Sequence, residues 1–271
     1  MQISPAYDGP PILSIEGLGD PCAAVRRQRL RLLEVLRSLD ASQWAAPTRC
    51  EKWSVKDVVS HLVGTDRFWA IAFGAGINGQ PTRFLESFDP VATPEEMVDG
   101  MRAQPAQVVL TQYEAQVNNV LSTLGSVADW SVRAEAPPGH LALNVAVLHA
   151  LWDAWVHERD ISIPLGLPVV EDEEEVALIL QYAAALSPAF SVASGSGKRG
   201  ALVVEATSPD MTFTVDVDER VSVRRGDADG ARLSGRAVDL IEGLSYRAPL
   251  PELPTDDQWL LVGLAEVFDV A

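Results

Sequence analysis

The chain has 271 residues, 47% of them hydrophobic and 22% charged. That supports a full core in one or two domains and argues against a disordered or coiled-coil protein. Its 38 acidic against 21 basic residues give a net charge of −17, which repels phosphate backbones and anionic lipid and disfavours nucleic acid and membrane surfaces as partners.

Met1 to Pro5 shows neither a basic n-region nor an apolar h-region, so no secretory signal is read. Leu141 to Val156, read as the most apolar stretch, is broken by Asn144, His149 and Asp153 and cannot span a bilayer. Cys22 and Cys50 are too few for a disulfide scaffold or a Cys-rich zinc module. Two reduced thiols are simpler than one bridge, and the expected location is cytoplasmic.

The first 165 residues read as helices. Asp20-Pro21 opens the first, with Val25, Leu30, Leu33, Val35 and Leu36 as its apolar face. Ser54 caps the second in a capping-box pattern with Asp57. Val55, Val58, Val59, Leu62 and Val63 then recur at helical spacing. Thr93-Pro94-Glu95-Glu96 starts a third that runs to Leu124, kinked or restarted at Pro105. A fourth follows Pro137-Pro138-Gly139, from about Leu141 to Ile161. Four helices with short or moderate loops predict an antiparallel four-helix bundle over residues 1–165.

Pro164-Leu165-Gly166-Leu167-Pro168 reads as a linker. The acidic run from Glu171 to Glu175 suits a helix N-terminus electrostatically, and apolar periodicity continues from Val176. Alternation then predicts strands at 201–207, 211–217, 221–225 and 231–235, with short helices near 238–243 and 257–268. Residues 166–271 are thus expected to form a smaller α+β domain, making the whole chain α+β with two domains.

Only four histidines exist: His61, His140, His149 and His157. His149, Asp153 and His157 are spaced by four and form one ridge of the fourth predicted helix. Asp153 and His157, completed by His61 from another helix, make a candidate metal site. Two imidazoles and a carboxylate leave a position open for water or substrate. The alternative is a solvated polar face with a histidine paired to Asp153 or Asp160. His140 reads as a solvated or capping residue; Cys50 reads as a packing thiol, with a ligand or nucleophile as the alternative. Ser194-Gly195-Ser196-Gly197-Lys198 departs from a phosphate loop, with Val192 at its first glycine position, and reads as a turn. Trp53 and Trp69 line a site only if it lies beside His61.

Pro47-Thr48-Arg49-Cys50-Glu51-Lys52-Trp53, followed by a Val-rich helix ending in His61-Leu62, resembles a known pattern. It is similar to the metal-binding domain of the mycothiol-dependent maleylpyruvate isomerase family, a branch of the DinB-like bundles. The family's second motif is a carboxylate four residues before a histidine, then Arg or Glu and Asp. Asp153-Ala154-Trp155-Val156-His157-Glu158-Arg159-Asp160 is similar to it. Ala231–Gly235 and the stretch from Val238 to Arg247 resemble the sterol-carrier-like domain that follows in these proteins. The resemblance implies His61, Asp153 and His157 as ligands of a divalent metal, usually zinc, and Arg247 as a catalytic arginine on the substrate side. Asp153 stands where the family more often has Glu, and Ser245-Tyr246 replaces the usual Gly before Arg247.

The resemblance also implies mycothiol as a thiol cosubstrate attacking an electrophilic small molecule. We read S-transfer as the leading outcome and cis–trans isomerisation as the alternative. The other classes are metal-dependent hydrolysis, with Asp57 or Asp160 as base, and a non-catalytic binding module.

Overall fold

The chain opens on a three-residue strand, β1 (Leu13–Ile15), with Leu13 and Ile15 buried and Ser14 exposed. The computed structural model describes residues 5–268; Met1 to Ser4, where no signal pattern was read, lie outside the described residues. Helix α1 (Cys22–Ser38) follows, begun by the Asp20 carboxylate accepting from the Cys22 amide. Its buried face runs through Val25, Leu32, Leu33 and Leu36 and includes Gln28 and Arg29, whereas Leu30 is exposed. Apolarity alone therefore misplaced one edge of this face.

Asp40 and Gln43 form a capping box on the short helix α2 (Ala41–Trp44). Helix α3 (Val55–Ile77) starts with both bonds of the expected box: the Asp57 amide donates to Ser54 Oγ, and the Ser54 amide to the Asp57 carboxylate. A 3-10 turn at Phe84–Ser87 leads to helix α4 (Ala92–Asp99). Its start precedes the expected Thr93, because Asp89 accepts from the amides of Val91 and Ala92. Pro105 separates it from helix α5 (Ala106–Leu124), as a residue lacking an N–H does best at a helix start.

Strands β2 (Arg133–Ala136) and β3 (Gly139–Ala142) pair antiparallel, a hairpin where only helices and loops were expected. Gly139 has φ +133°, and a Cβ there would sit 2.1 Å from the Ala6 carbonyl oxygen. Glycine thus lets the N-terminal segment lie against the hairpin, and the His140 amide donates to Ala6 O at 3.1 Å. His140 is not solvated: it is buried, packed at a tilt against Tyr7 and bonded through Nε2 to Thr82 O.

Helix α6 (Leu143–Ser162) is buried along nearly its whole length. It packs with α1 and α3, while α3 and α1 also pack on α5, forming the four-helix region. Leu32, Leu36, Val55, Val58, Leu62, Tyr113 and Val117 fill the core between these helices; each such aliphatic side chain removed from water contributes about 1.5–3 kcal/mol. Helix α7 (Glu173–Ala193), capped by Asp172, packs against the other side of α6. By length and composition α7 passes as a membrane span, but 67% of its most apolar 18 residues are buried in the protein. It, and not Leu141–Val156, is the apolar helix that needed explaining.

Strands β4 (Gly200–Thr207), β5 (Met211–Val217), β6 (Val221–Arg225) and β7 (Ala231–Arg236) follow, then helices α8 (Ala237–Leu244) and α9 (Trp259–Phe268). The sheet order is β1-β6-β5-β4-β7, with β1 parallel to β6, β7 parallel to β4 and the central pairs antiparallel. The chain is α+β, with a helical N-terminal region and a β-rich C-terminal region. Leu13–Ile15, within the expected unit 1–165, is an edge strand of the sheet whose other strands fall in the expected unit 166–271. A short alternating segment there satisfies the amides and carbonyls that β6 would otherwise leave unpaired.

Candidate metal and thiol site

The site is assembled from α3 and α6 by helical spacing. The capping box fixes where α3 begins, which places His61 in its second turn. On α6, Asp153, His157 and Asp160 follow at i, i+4 and i+7, so they share one face. Asp153 Oδ1 lies 3.7 Å from His61 Nε2 and 3.5 Å from His157 Nε2. One donor atom from each of the three residues lies within 4.8 Å of the others. Two donors bound to one tetrahedral zinc at about 2.1 Å sit about 3.4 Å apart, so the separations suit a shared ion.

The strongest sign of fit is His61. It is buried, yet neither ring nitrogen has a hydrogen-bond partner, an arrangement that costs about 1–3 kcal/mol unless a ligand completes it. Its ring packs between Trp53, at 5.2 Å, and His157, at 4.9 Å.

His157 Nδ1 is 3.0 Å from Asp160 Oδ2, the outer carboxylate that orients a ligating imidazole and leaves Nε2 for an ion. Burial opposes a charge on His157, but Asp160, Cys50 and the nearby Asp153 outweigh it and push its pKa up to about 10. Burial also opposes ionisation of Asp153, and the three imidazoles around it nonetheless hold it well below the usual carboxylate range. Both shifts say that this cluster favours an added positive charge.

Asp160 is a fully buried hub. It accepts from Arg49 Nε at 2.9 Å, Arg247 Nε at 2.9 Å, Arg247 Nη2 at 3.0 Å and Cys50 Sγ at 3.3 Å, besides facing His157. Desolvation would raise its pKa, but His157 and Arg247 drive it far below the usual range. Arg49 continues to Glu242 at 2.6 Å, and Arg159 bonds the same carboxylate. Arg247 thus reaches the site chiefly through Asp160, with Nη1 on the Ser245 carbonyl.

Cys50 is not mere packing. Its Sγ lies 3.7 Å from Arg247 Nη2 and 3.8 Å from His157 Nδ1, and it lines the cavity. Cys50, His157 and Asp160 form a second group with ligand-like spacing, but the two guanidinium groups on Asp160 oppose a cation there. The sequence suggested a histidine paired to Asp160 but gave no sign of its arginines, which lie 111 and 87 residues away.

His149, the third member of the ridge, goes elsewhere: Nδ1 is 2.7 Å from the Tyr182 hydroxyl. Burial lowers its pKa to about 4, so it is neutral near pH 7. Asp57 is engaged in the α3 cap and lies 3.6 Å from Arg102. Ser194–Lys198 is exposed, with Lys198 over the Trp259 ring. Trp53 and Trp69 both line the cavity beside the cluster, a space of about 1200 Å³.

The arrangement has the composition of a metal-binding site on a helical bundle. Residues 25–162 match the family model of the mycothiol maleylpyruvate isomerase N-terminal domain, and the chain belongs to that family. Two crystal structures of the mycothiol-dependent maleylpyruvate isomerase, one of them a histidine-to-alanine mutant, share the fold, each with a TM-score of 0.62 at 13% identity. The mutant covers 88% of this chain and 96% of its own, the other 87% and 91%. No curated protein sequence matches the chain.

Proposed function

We propose that the chain is a divalent-metal-dependent enzyme that uses mycothiol as a nucleophile in isomerase-type chemistry on an unsaturated carbonyl compound. The observation that carries this reading is the buried His61, neither ring nitrogen hydrogen-bonded, facing Asp153 and His157 in the wall of a large cavity. His61, Asp153 and His157 would hold the metal, most simply zinc. When bound, such an ion supplies a Lewis acid that lowers the pKa of a thiol.

The chain's own residues do the rest. Asp160 fixes the His157 ring and tautomer, and Arg49 and Arg247 keep Asp160 anionic. Arg247 is a positioning residue in this scheme, its guanidinium held on Asp160 and the Ser245 carbonyl. Trp53 and Trp69 exclude water from the reacting groups.

In the reaction, the thiol first loses its proton to solvent; the thiolate sulfur then bonds to the β-carbon of a cis double bond and the π pair moves onto the carbonyl oxygen. The resulting single bond rotates. Return of the pair re-forms the double bond, now trans, and expels the thiolate, so no thiol is consumed. S-transfer differs in that the returning pair expels another group of the substrate and the sulfur stays bonded to carbon. Hydrolysis is less well supported, because Asp57 and Asp160, its candidate bases, are both engaged. The free thiols Cys22 and Cys50 suit the reducing cytoplasm, where we place the protein.

The test is to mix zinc-loaded protein and mycothiol with maleylpyruvate or with cis-benzylideneacetone, following isomer ratio and free thiol together. Thiol-dependent isomerisation at constant free thiol is expected. Stoichiometric loss of thiol would make the protein a transferase, and conversion without thiol would end the mycothiol reading.

A further inference from the structure

The cavity is divided by chemistry, and its apolar part is continuous. Ring centroids run from Phe84 to Phe68 at 6.4 Å, Phe68 to Trp69 at 4.7 Å, Trp69 to His149 at 5.3 Å and His149 to Trp152 at 5.1 Å. All five residues line the cavity. His149 lies four residues before Asp153, about 6 Å along the helix, so the wall begins one turn from the candidate metal ligands. Phe84, 53% exposed, stands at the other end of the series.

Outside the candidate metal ligands, the charges in the cavity do not suit a second carboxylate. Arg49, Lys52 and Arg247 line it, and so do Glu51, Glu95 and Asp153. Arg49 is committed to Asp160 and Glu242, and Arg247 to Asp160. Lys52 is exposed on the loop before α3. His157 or a bound ion would meet one carboxylate, but the second carboxylate of a dianion would leave bulk water for buried guanidinium groups that are already neutralised, which is costly. The chain's charge of −17 opposes its approach as well.

We propose that the electrophile is an uncharged, planar, aryl-conjugated carbonyl compound, its ring held against the Phe84–Phe68–Trp69–His149–Trp152 wall. Offset and edge-to-face contacts with such rings favour a flat aromatic partner beyond simple area burial. The double bond then lies toward Asp153, and the aryl group toward the mouth. This inference rests on the thiol-dependent reading for its reaction, but not for its binding.

The experiment is a fluorescence titration of zinc-loaded protein, without thiol, using trans-benzylideneacetone and maleate as probes; Trp69 and Trp152 report directly. The ketone is expected to bind at least about tenfold more tightly than maleate. Phe84→Ala, at an exposed position, is expected to weaken the ketone by about tenfold and maleate by less than about twofold. Phe84→Leu should recover part of the loss. Maleate binding as tightly as the ketone, or ketone binding unchanged in Phe84→Ala, would overturn the proposal. Tight ketone binding with no mycothiol-dependent turnover of its cis isomer keeps this proposal and ends the thiol reading. Mycothiol-dependent turnover of maleylpyruvate with no ketone binding does the reverse.

Discussion

One ridge of α6 carries two histidines that the protein treats in opposite ways. At its C-terminal end His157 faces two carboxylates, is hydrogen-bonded by Asp160 and favours a charge. Two turns earlier His149 sits among Trp69, Trp152 and Tyr182 and is held neutral by burial. The lesson is that residue type and helical spacing bring donors to one face, while neighbours from other elements decide what each donor does. Asp153 stands between the two environments, and its side chain keeps 17% exposure.

The sharpest test of this contrast is removal of its middle member. Asp153→Ala leaves two imidazoles and no anionic ligand, so zinc affinity should fall by more than the roughly 10–100-fold that loss of an outer partner costs. Equilibrium dialysis with elemental analysis measures it. Full zinc retention in this variant, or in the combined His61→Ala and His157→Ala variant, would break the ligand assignment.

Asp160→Asn should come next. It removes the charge that orients His157 and that Arg49 and Arg247 share, lowering zinc affinity by about 10–100-fold. Unchanged affinity would make the hub a purely structural feature.

A pH titration of zinc binding follows from the raised pKa of His157. Binding requires its neutral form, so one proton leaves on binding, and affinity should rise about tenfold per pH unit from near 7 toward the pKa of about 10. A flat profile over this range would exclude His157 as a ligand that must lose a proton.

His149→Gln should leave zinc affinity within about twofold and change acid stability instead. Between pH 6.5 and about 4 the unfolded chain takes up a proton that native His149 refuses, so stability is lost as pH falls through that window. The loss totals on the order of 3 kcal/mol, and the variant should lack that slope in urea denaturation. His157 has the opposite sign in metal-free protein: its contribution is complete below about 6.5 and is lost as pH rises toward 10. If both substitutions alter the same limb, the two ends of the ridge are not distinct. The smallest effect is expected for Asp153→Glu, which should keep its zinc, with the ion displaced by about one bond length, roughly 1.5 Å.

Much of this was legible where the cause is local. The Ser54–Asp57 box, the restart at Pro105 and strands β5 and β6 follow from nearby residues, and the structure has them at the expected positions. The pairing of Asp153 with His157 was visible because a helix repeats itself. What could not be read depends on distant partners. Strand β1 is too short for a periodic signal and pairs with Val221–Val223, some two hundred residues on. Hairpin β2–β3 offers little alternation, and Cys50 looked like a packing thiol because Asp160 and Arg247 are remote from it in sequence.

The ion pairs around Asp160 also bear on the order of assembly during synthesis. His61, Asp153, His157 and Asp160 have all left the ribosome before Arg247 and Glu242 are made. A nascent chain can therefore form the helical region while Asp160 has no Arg247 to share and Arg159 has no Glu242. The full set of ion pairs around Asp160 is complete only when α8 and the residues after it are in place, although the candidate donors come from the first part of the chain. A chain cut short before Arg247 would expose an incomplete hub and be easier for a protease to find than its intact counterpart.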